Sequence, residues 1–370
     1  MQPIWPQPFI SWAVSPVESK EGWRVPSRNS SELLSCYCRW VVADRVIRTD
    51  KMMGWHAGIA APAALVASFS LPITQGRCSM AYLHNECPSC QSGHIENLRE
   101  VEGYRYYICR TCRFIFIHPA ILQDIDGGRT IRAYDPDYWQ MELRAAKERS
   151  YSVALARIAE VIYYTRIPIN NFIDIGTGPG YVLDSLRLYL PSHADRFHGV
   201  EMFPPPPEFR TDHRNYRIGS LGDLDLCFEA GMCMEVIEHL TPRMLRNLLE
   251  EISAKSKPGA CFIFNSGLPD YVLNEDPAYL DPVRRGHIVS WSVEAVRAQC
   301  GGLDLTVLPI RGKTWAFIVE RRDIGTAARV AEDIRNRVWS ALPENLEILV
   351  DPVMGSVLKV LGHHTILAFQ

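Results

Sequence analysis

The sequence predicts an α/β protein with a doubly wound, mostly parallel sheet, preceded by a small cysteine-rich unit. Two observations support this fold class. From about residue 170, short apolar strand patterns alternate with helical patterns, which is typical of parallel sheets covered by helices on both faces. Ahead of them lie two pairs of cysteines at C-x₂-C spacing. The chain of 370 residues is 47% hydrophobic, enough for a sizeable core.

The overall charge argues against a nucleic-acid partner. The formal net charge is −3, so a large basic surface is not indicated. The eleven cysteines are too sparse for a disulfide framework in a chain of this length. We therefore expect a cytoplasmic protein whose partner is a small molecule; the sequence does not indicate an oligomeric state.

Residues 1–79 differ from the rest of the chain, being rich in Pro and Ser without a clear period. We expect a poorly ordered extension, with Met80 as an alternative natural start. The apolar run 58–73 contains Pro62 and is shorter than the ~18 residues that a membrane-spanning helix needs. It also lies far from the N-terminus for a secretory signal. No membrane span is expected, and a membrane or signal-like anchor is the alternative.

The segment 80–118 predicts a zinc ribbon. Two C-x₂-C pairs are separated by eighteen residues, and four thiolates suit tetrahedral Zn²⁺. The stretches YRYYI and FIFIHP have the pattern of short strands. Four cysteine ligands leave no open coordination position, so the zinc is expected to be structural. The predicted ligands are Cys87, Cys90, Cys109 and Cys112.

The segment 119–169 predicts a linker and a lid helix. From about Tyr138 the apolar residues recur with helical spacing. Three aromatic residues, Tyr134, Tyr138 and Trp139, stand at its start. They are interpreted either as a lid over a cofactor or as packing between domains.

A glycine-rich turn follows the apolar strand FIDI. Glycines at alternate positions allow the backbone to approach a ligand closely, and the helix that begins near Tyr181 offers free amides. The nicotinamide fingerprint G-x-G-x-x-G fails because position 181 is Tyr. The residues of this motif are Asp174, Gly176, Gly178 and Gly180.

These residues resemble the first motif of the class I S-adenosylmethionine-dependent methyltransferases, an acidic residue followed by G-x-G-x-G. The resemblance covers roughly residues 170–370, because FHGVE, NYRIGSLGDLDL, GMCMEVIEHLTP and KPGACFIFNSGLP follow in the family's order. It implies a Rossmann-like fold, S-adenosylmethionine as cofactor and Glu201 as acceptor for the ribose hydroxyls. It also places Ser220 and Leu221 beside the adenine, where the family often has an acidic residue, and Glu235 beside the cofactor. An insertion at about residues 323–362, between the sixth and seventh strands, is predicted, with HHTILAFQ as the last strand.

The chemistry expected of this family is transfer of an activated methyl group to an aligned nucleophile, with removal of a proton where needed. The candidate bases are Glu238 and His239 after the fourth strand and His287 after the fifth. Ordinary roles, a helix start and a loop hydrogen bond, are the alternatives. The expected acceptor is a small polar metabolite, such as a saccharide.

Two other functions stay open. The spacing Glu235-x-x-Glu238-His239 with a distant His287 is similar to the small-RNA 2′-O-methyltransferases, in which two Glu and two His hold a divalent ion. Gly286 stands where those enzymes usually have an acidic residue, and the chain is not basic. The third hypothesis is a protein that binds S-adenosylmethionine without catalysis.

Overall fold

A computed structural model describes residues 82–322 and 333–369, all within one compact unit, Ala63–Gln370. The predicted extension 1–79 and part of the predicted insertion therefore lie outside the described residues. Among the described residues, none of the helices is both long enough and apolar enough to cross a membrane.

A four-stranded antiparallel sheet carries the two cysteine pairs. Its strand order is β1-β2-β3-β9. The strands are β1 (Ile95–Val101), β2 (Tyr104–Cys109), β3 (Ile115–Ile117) and β9 (Val289–Ser290). The stretches YRYYI and FIFIHP thus form strands as predicted. The other two strands were not predicted: β1 lacks a strong apolar alternation, and β9 comes from more than 170 residues further along the chain.

Three helices connect this sheet to the next one. They are α1 (Pro119–Asp126), α2 (Pro136–Ser150) and α3 (Val153–Tyr164). The carboxylate of Asp135 accepts a hydrogen bond from the Tyr138 amide at 2.9 Å and caps α2, with a proline at the first helical position. The continuous lid helix predicted from about Tyr138 is thus two helices. All but the first residue of α3 is buried, whereas α2 is mostly accessible.

A seven-stranded sheet forms the centre of the fold, in the order β10-β11-β8-β7-β4-β5-β6. Only β11 runs antiparallel to its neighbours, as the doubly wound class predicts. The strands are β4 (Phe172–Ile175), β5 (Phe197–Glu201), β6 (Tyr216–Ile218), β7 (Phe228–Met234), β8 (Ser256–Asn265), β10 (Leu305–Pro309) and β11 (Ala316–Arg321). The helices between them are α4 (Tyr181–Tyr189), α5 (Pro242–Lys255), α6 (Pro269–Asn274) and α7 (Val293–Gln299).

The apolar residues of the unit form two clusters. One combines the cysteine-rich sheet with α5, α7 and residues of the central sheet, and includes Tyr106, Phe114, Phe262 and Trp291. The other combines α3 and the C-terminal residues with further positions of the same strands. The cysteine-rich sheet therefore shares a continuous core with the central sheet, rather than having one of its own.

The C-terminal part differs from the prediction. Both β10 and β11 precede residues 323–362, so this segment follows the last strand that the structure describes and does not lie between two described strands of the central sheet. Its described part contains α8 (Pro343–Leu346) and α9 (Val357–Leu367). The prediction of a final strand in HHTILAFQ is wrong, because most of that stretch belongs to α9. This helix packs on α3, and Leu358, Thr365 and Ile366 are buried there at helical spacing.

Candidate functional site

The glycine loop runs from the end of β4 to the start of α4. Gly176, Gly178 and Gly180 have φ angles of +73°, +58° and +79°, in the left-handed region that favours glycine. A Cβ atom on Gly176 would lie 2.4 Å from Cγ2 of Val236, and one on Gly178 would lie 3.5 Å from the Trp139 ring. The loop is thus in contact with the segment after β7 and is covered by the start of α2.

Two buried carboxylates stand at the carboxyl ends of neighbouring parallel strands. Desolvation raises the pKa of Asp174 to about 7. Glu201 accepts hydrogen bonds from the Gly178 amide at 2.8 Å and from the Phe203 amide at 2.7 Å. Desolvation raises the pKa of Glu201 as well, and these amides oppose the rise. Glu201 therefore fixes the glycine loop, and its oxygens retain lone pairs for a ligand.

The aromatic residues before and within α2 lie over the same edge of the sheet. Tyr134 stacks on Phe203 with 5.6 Å between ring centroids and meets His239 edge-on at 5.8 Å. Trp139 is 8% exposed, and its indole N–H has no hydrogen-bond partner in the part of the chain that the structure describes. The predicted lid position is thus occupied by these rings, and Trp139 offers a buried, unpaired donor beside Gly178.

In the turn after β6, the carboxylate of Asp223 lies beside Ser220. Ser220 begins a short 3₁₀ helix, and its amide and hydroxyl both donate to Asp223 at 2.8 and 3.0 Å. Leu221 is buried beneath the turn. Asp223 was missed from sequence because it lies three residues beyond the expected acidic position. The turn therefore carries an acidic side chain, one helical turn later than the family pattern.

Glu235 follows β7 in a strained conformation, with a φ of +51°. Its Oε1 accepts a hydrogen bond from the Asn265 side-chain amide at 3.0 Å, and the Tyr279 hydroxyl lies 3.4 Å from Oε2. Although part of the side chain is accessible, desolvation raises the pKa of Glu235 to about 8, and the charge of Glu238 adds to the rise. Neither Asn265 nor Tyr279 was identified from sequence, although Asn265 is a polar residue at the end of a buried strand.

Glu238, His239 and His287 converge on one point. The Nε2 atoms of both histidines lie 3.9 Å from Oε1 of Glu238. The two imidazole rings meet edge-on with 5.0 Å between their centroids. One ligand atom from each of the three residues lies within 4.8 Å of the others. The structure thus brings together all three predicted catalytic residues.

The ring orientation of both histidines is fixed by backbone carbonyls. Nδ1 of His239 lies 3.0 Å from the Gly286 oxygen, and Nδ1 of His287 lies 2.8 Å from the Tyr279 oxygen. A carbonyl only accepts, so Nδ1 carries the proton and the lone pair is on Nε2, which faces Glu238. The Gly286 carbonyl therefore orients the His239 ring by accepting its Nδ1 proton in a hydrogen bond. A Cβ atom there would lie 3.1 Å from that Nδ1.

The carboxylate of Glu238 is completely buried in an environment with few hydrogen-bond donors of good geometry among the described residues. Its exposure is 0%, and both oxygens lack a partner of normal geometry among the described residues. Desolvation raises the pKa of Glu238, while the nearby Ser266 hydroxyl, Glu235 carboxyl and Tyr279 hydroxyl favour its charged form and oppose the rise. Buried charges are normally paired or coordinate metals. Two imidazole lone pairs and one unpaired carboxylate are a donor set that fits a divalent cation.

The four predicted zinc ligands form a separate group. The Sγ atoms of Cys87 and Cys112 lie 3.6 Å apart, as do those of Cys90 and Cys109, and all four are within 4.8 Å of one another. A tetrahedral zinc with Zn–S bonds of ~2.3 Å requires sulfurs about 3.8 Å apart. The geometry of this group therefore fits Zn²⁺.

Comparisons with known proteins show similarity only to solved structures. No protein-family model matches the chain, and no curated protein does either. An S-adenosylmethionine-bound amino pentose methyltransferase, CalS10 from Micromonospora echinaspora, shares 16% identity over 48% of this chain and 94% of its own, with a TM-score of 0.37. DesVI from Streptomyces venezuelae shares 13% identity over 50% of this chain and 98% of its own, with a TM-score of 0.35.

A third similar structure is the N-methyltransferase NodS from Bradyrhizobium japonicum WM9, at 14% identity over 48% of this chain and 96% of its own, with a TM-score of 0.31. Similarities of this size do not assign an activity to this chain. Any function must be argued from its own residues.

The glycine loop provides a test of its tight packing. Gly176→Ala and Gly103→Ala both place a side chain at positive φ, which costs ~1–2 kcal/mol. Only Gly176→Ala also drives a Cβ atom into Val236, whereas Gly103 has nothing within 4 Å. We expect Gly176→Ala to lose a further ~1–3 kcal/mol of unfolding free energy, measured by urea denaturation. Equal losses in the two variants would show that the loop does not press on Val236.

Proposed function

We propose that the protein is an S-adenosylmethionine-dependent methyltransferase that acts on a small polar acceptor, such as a saccharide. The observation that carries the proposal is the hydrogen bond from the Gly178 amide to Glu201 at the carboxyl edge of a parallel sheet. Ligands of open α/β sheets bind at this edge, where the strand order reverses, here between β4 and β7. The order of motifs along the sequence supports the same cofactor.

The residues present fit this cofactor. Glu201 would accept the ribose hydroxyls, the glycine loop would lie against the rest of the molecule, and the turn at Ser220 and Leu221 would border the adenine through Asp223. Trp139 would cover the loop and donate its free N–H. Bound S-adenosylmethionine supplies a methyl group already activated by its sulfonium. The chain's own task is to orient the acceptor and take its proton.

The cofactor assignment is tested by calorimetry. Wild-type protein is expected to bind S-adenosylmethionine, and Glu201→Ala to bind it ~10–100-fold more weakly, because hydrogen bonds to a charged acceptor contribute ~1.5–3 kcal/mol. Glu208→Ala, an exposed carboxylate shortly after β5, is the matched control and should leave the affinity unchanged. Binding of NAD in place of S-adenosylmethionine would contradict the assignment. Cofactor binding without transfer to any acceptor would favour the non-catalytic hypothesis.

A specific observation favours metal-assisted transfer as a second candidate function. The unpaired carboxylate of Glu238 faces two Nε2 lone pairs, and a histidine base acting alone leaves that carboxylate unexplained. We propose that Glu238, His239 and His287 hold a divalent cation, with Glu235 at its side. Such a cation would lower the pKa of an acceptor hydroxyl. The similar RNA enzymes share this donor set, but a net charge of −3 gives little attraction for phosphate.

Chelation separates a metal-assisted reaction from a metal-free base. With saccharide acceptors, we expect EDTA, at a concentration that leaves the zinc content unchanged, to abolish methyl transfer and added Mn²⁺ or Mg²⁺ to restore it. Glu238→Gln should prevent restoration while binding of S-adenosylmethionine survives, and Glu208→Gln should behave like wild type. Transfer that is insensitive to EDTA, with a loss of ~10²–10⁴-fold in turnover in a His239→Asn or His287→Asn variant, would instead identify a base. Mn²⁺-dependent transfer to short RNA would favour the RNA alternative.

We also propose that Cys87, Cys90, Cys109 and Cys112 bind one structural Zn²⁺. Elemental analysis of protein purified without chelators should find one zinc per chain. Cys87→Ser should lose it, because the site needs four thiolates, and Cys227→Ser, at an exposed cysteine, should keep it. Wild-type protein without stoichiometric zinc would refute this assignment.

A further inference from the structure

The cysteine-rich sheet extends into the segment that carries His287. Ile115 and Phe116 of β3 pair with Ser290 and Val289 of β9. The Ile117 amide also donates to the Ile288 carbonyl at 3.0 Å. The strand that follows His287 is therefore the fourth strand of the sheet that bears the cysteines.

Side chains add to this backbone pairing. The hydroxyl of Tyr106, on β2, donates to the backbone carbonyl of His287 at 2.7 Å, and Tyr106 is fully buried. Phe114 stacks on Trp291 with 4.1 Å between ring centroids. The Ser292 hydroxyl donates to the carbonyl of Cys112, one of the four clustered cysteines. The cysteine-rich sheet thus contacts the segment 287–292 through backbone hydrogen bonds and through side-chain contacts.

The opposite side of the same segment contacts the candidate catalytic residues. The Ile288 amide donates to the Glu238 carbonyl at 3.0 Å, and the Trp291 indole N–H donates to the Ile237 carbonyl at 2.8 Å. Ile288 is consequently bonded on one side to β3 and on the other to Glu238. Its position fixes the spacing between His287 and Glu238.

The cysteines lie where they can control this arrangement. Cys109 is the last residue of β2, and Cys112 stands three residues before β3, so ligation would set the turn between these strands. β3 has three residues and β9 has two, so few backbone hydrogen bonds keep them in register. Binding of zinc in such small units is coupled to their folding. Loss of the ion would release the strand to which His287 is attached.

We propose that the cysteine-rich sheet positions His287, with Tyr106 as the positioning residue, and that the two metal sites are therefore thermodynamically coupled. The proposal rests on the cation and zinc sites of the proposed function. Zinc at the four cysteines raises the affinity of Glu238, His239 and His287 for a divalent cation. By linkage, that cation stabilises the zinc-loaded sheet to the same extent. The zinc site thereby acts on the chemistry without contacting the acceptor.

The first arm of the test compares two substitutions on one strand of the full-length, zinc-loaded protein. Tyr106→Phe removes the hydroxyl bonded to His287. Tyr107→Phe removes a hydroxyl from the next residue, whose side chain leaves the opposite face of β2 and whose ring stacks on Phe116. Calorimetric titration with Mn²⁺ should show ~10-fold weaker binding in Tyr106→Phe, the effect typical of losing an outer-shell contact, and no change in Tyr107→Phe. Zinc content and S-adenosylmethionine affinity should stay at wild-type values in both.

The second arm follows the backbone directly. Hydrogen exchange at the amides of Ile117 and Ile288 should accelerate at least tenfold when zinc is removed, while amides of β4 in the central sheet keep their rates. Unchanged exchange at Ile117 and Ile288 would overturn the proposal. Equal Mn²⁺ affinities in the two tyrosine variants, or no Mn²⁺ binding by the wild type, would do so too. S-adenosylmethionine binding and methyl transfer, measured separately, decide the proposed function whatever these two arms show.

Discussion

The burial of the Glu238 carboxylate, which lacks a hydrogen bond of normal geometry among the described residues, is the constraint around which the candidate site is organised. Removing one ionised carboxylate from water costs several kcal/mol unless a partner compensates. Two imidazole Nε2 atoms lie 3.9 Å from Oε1 of this carboxylate, and their lone pairs face it. Neutral imidazoles in this orientation do not compensate the charge. A cation between the three groups would.

A second completely buried carboxylate in the same unit, that of Glu160, shows how such a charge is compensated by cations. Glu160, on α3, is also completely buried, but it is paired with Arg157 and with Lys313, whose Nζ lies 2.7 Å away. Arg157 also donates to the Asn265 side-chain oxygen at 3.1 Å. The amide nitrogen of Asn265 is thereby turned toward Glu235. A complete ion network beside α3 thus orients a residue of the site.

The sequence predicted the parts of the site that are local in the chain. The glycine loop and the four cysteines were predicted because their spacing follows from backbone geometry and ligand geometry, and Glu201 was predicted through the family resemblance. The same reasoning failed where distant segments meet. β9 has two residues and no detectable pattern, so neither its pairing with β3 nor the bond from Tyr106 to His287 was predictable. α9 was mistaken for a strand because periodicity does not distinguish short apolar runs.

Charge balance favours a divalent cation over a single proton in this cluster. Desolvation raises the pKa of Glu235 to about 8, and the charge of Glu238 adds to the rise, so two adjacent negative charges are disfavoured here. A proton on His239 or His287 would offset only the charge of Glu238 and would leave Glu235 neutral. A divalent cation would offset both carboxylates at once, and each histidine would keep its Nδ1 proton on a carbonyl. A cation at this position would account for the left-handed backbone of Glu235, because that conformation brings the second carboxylate to the site.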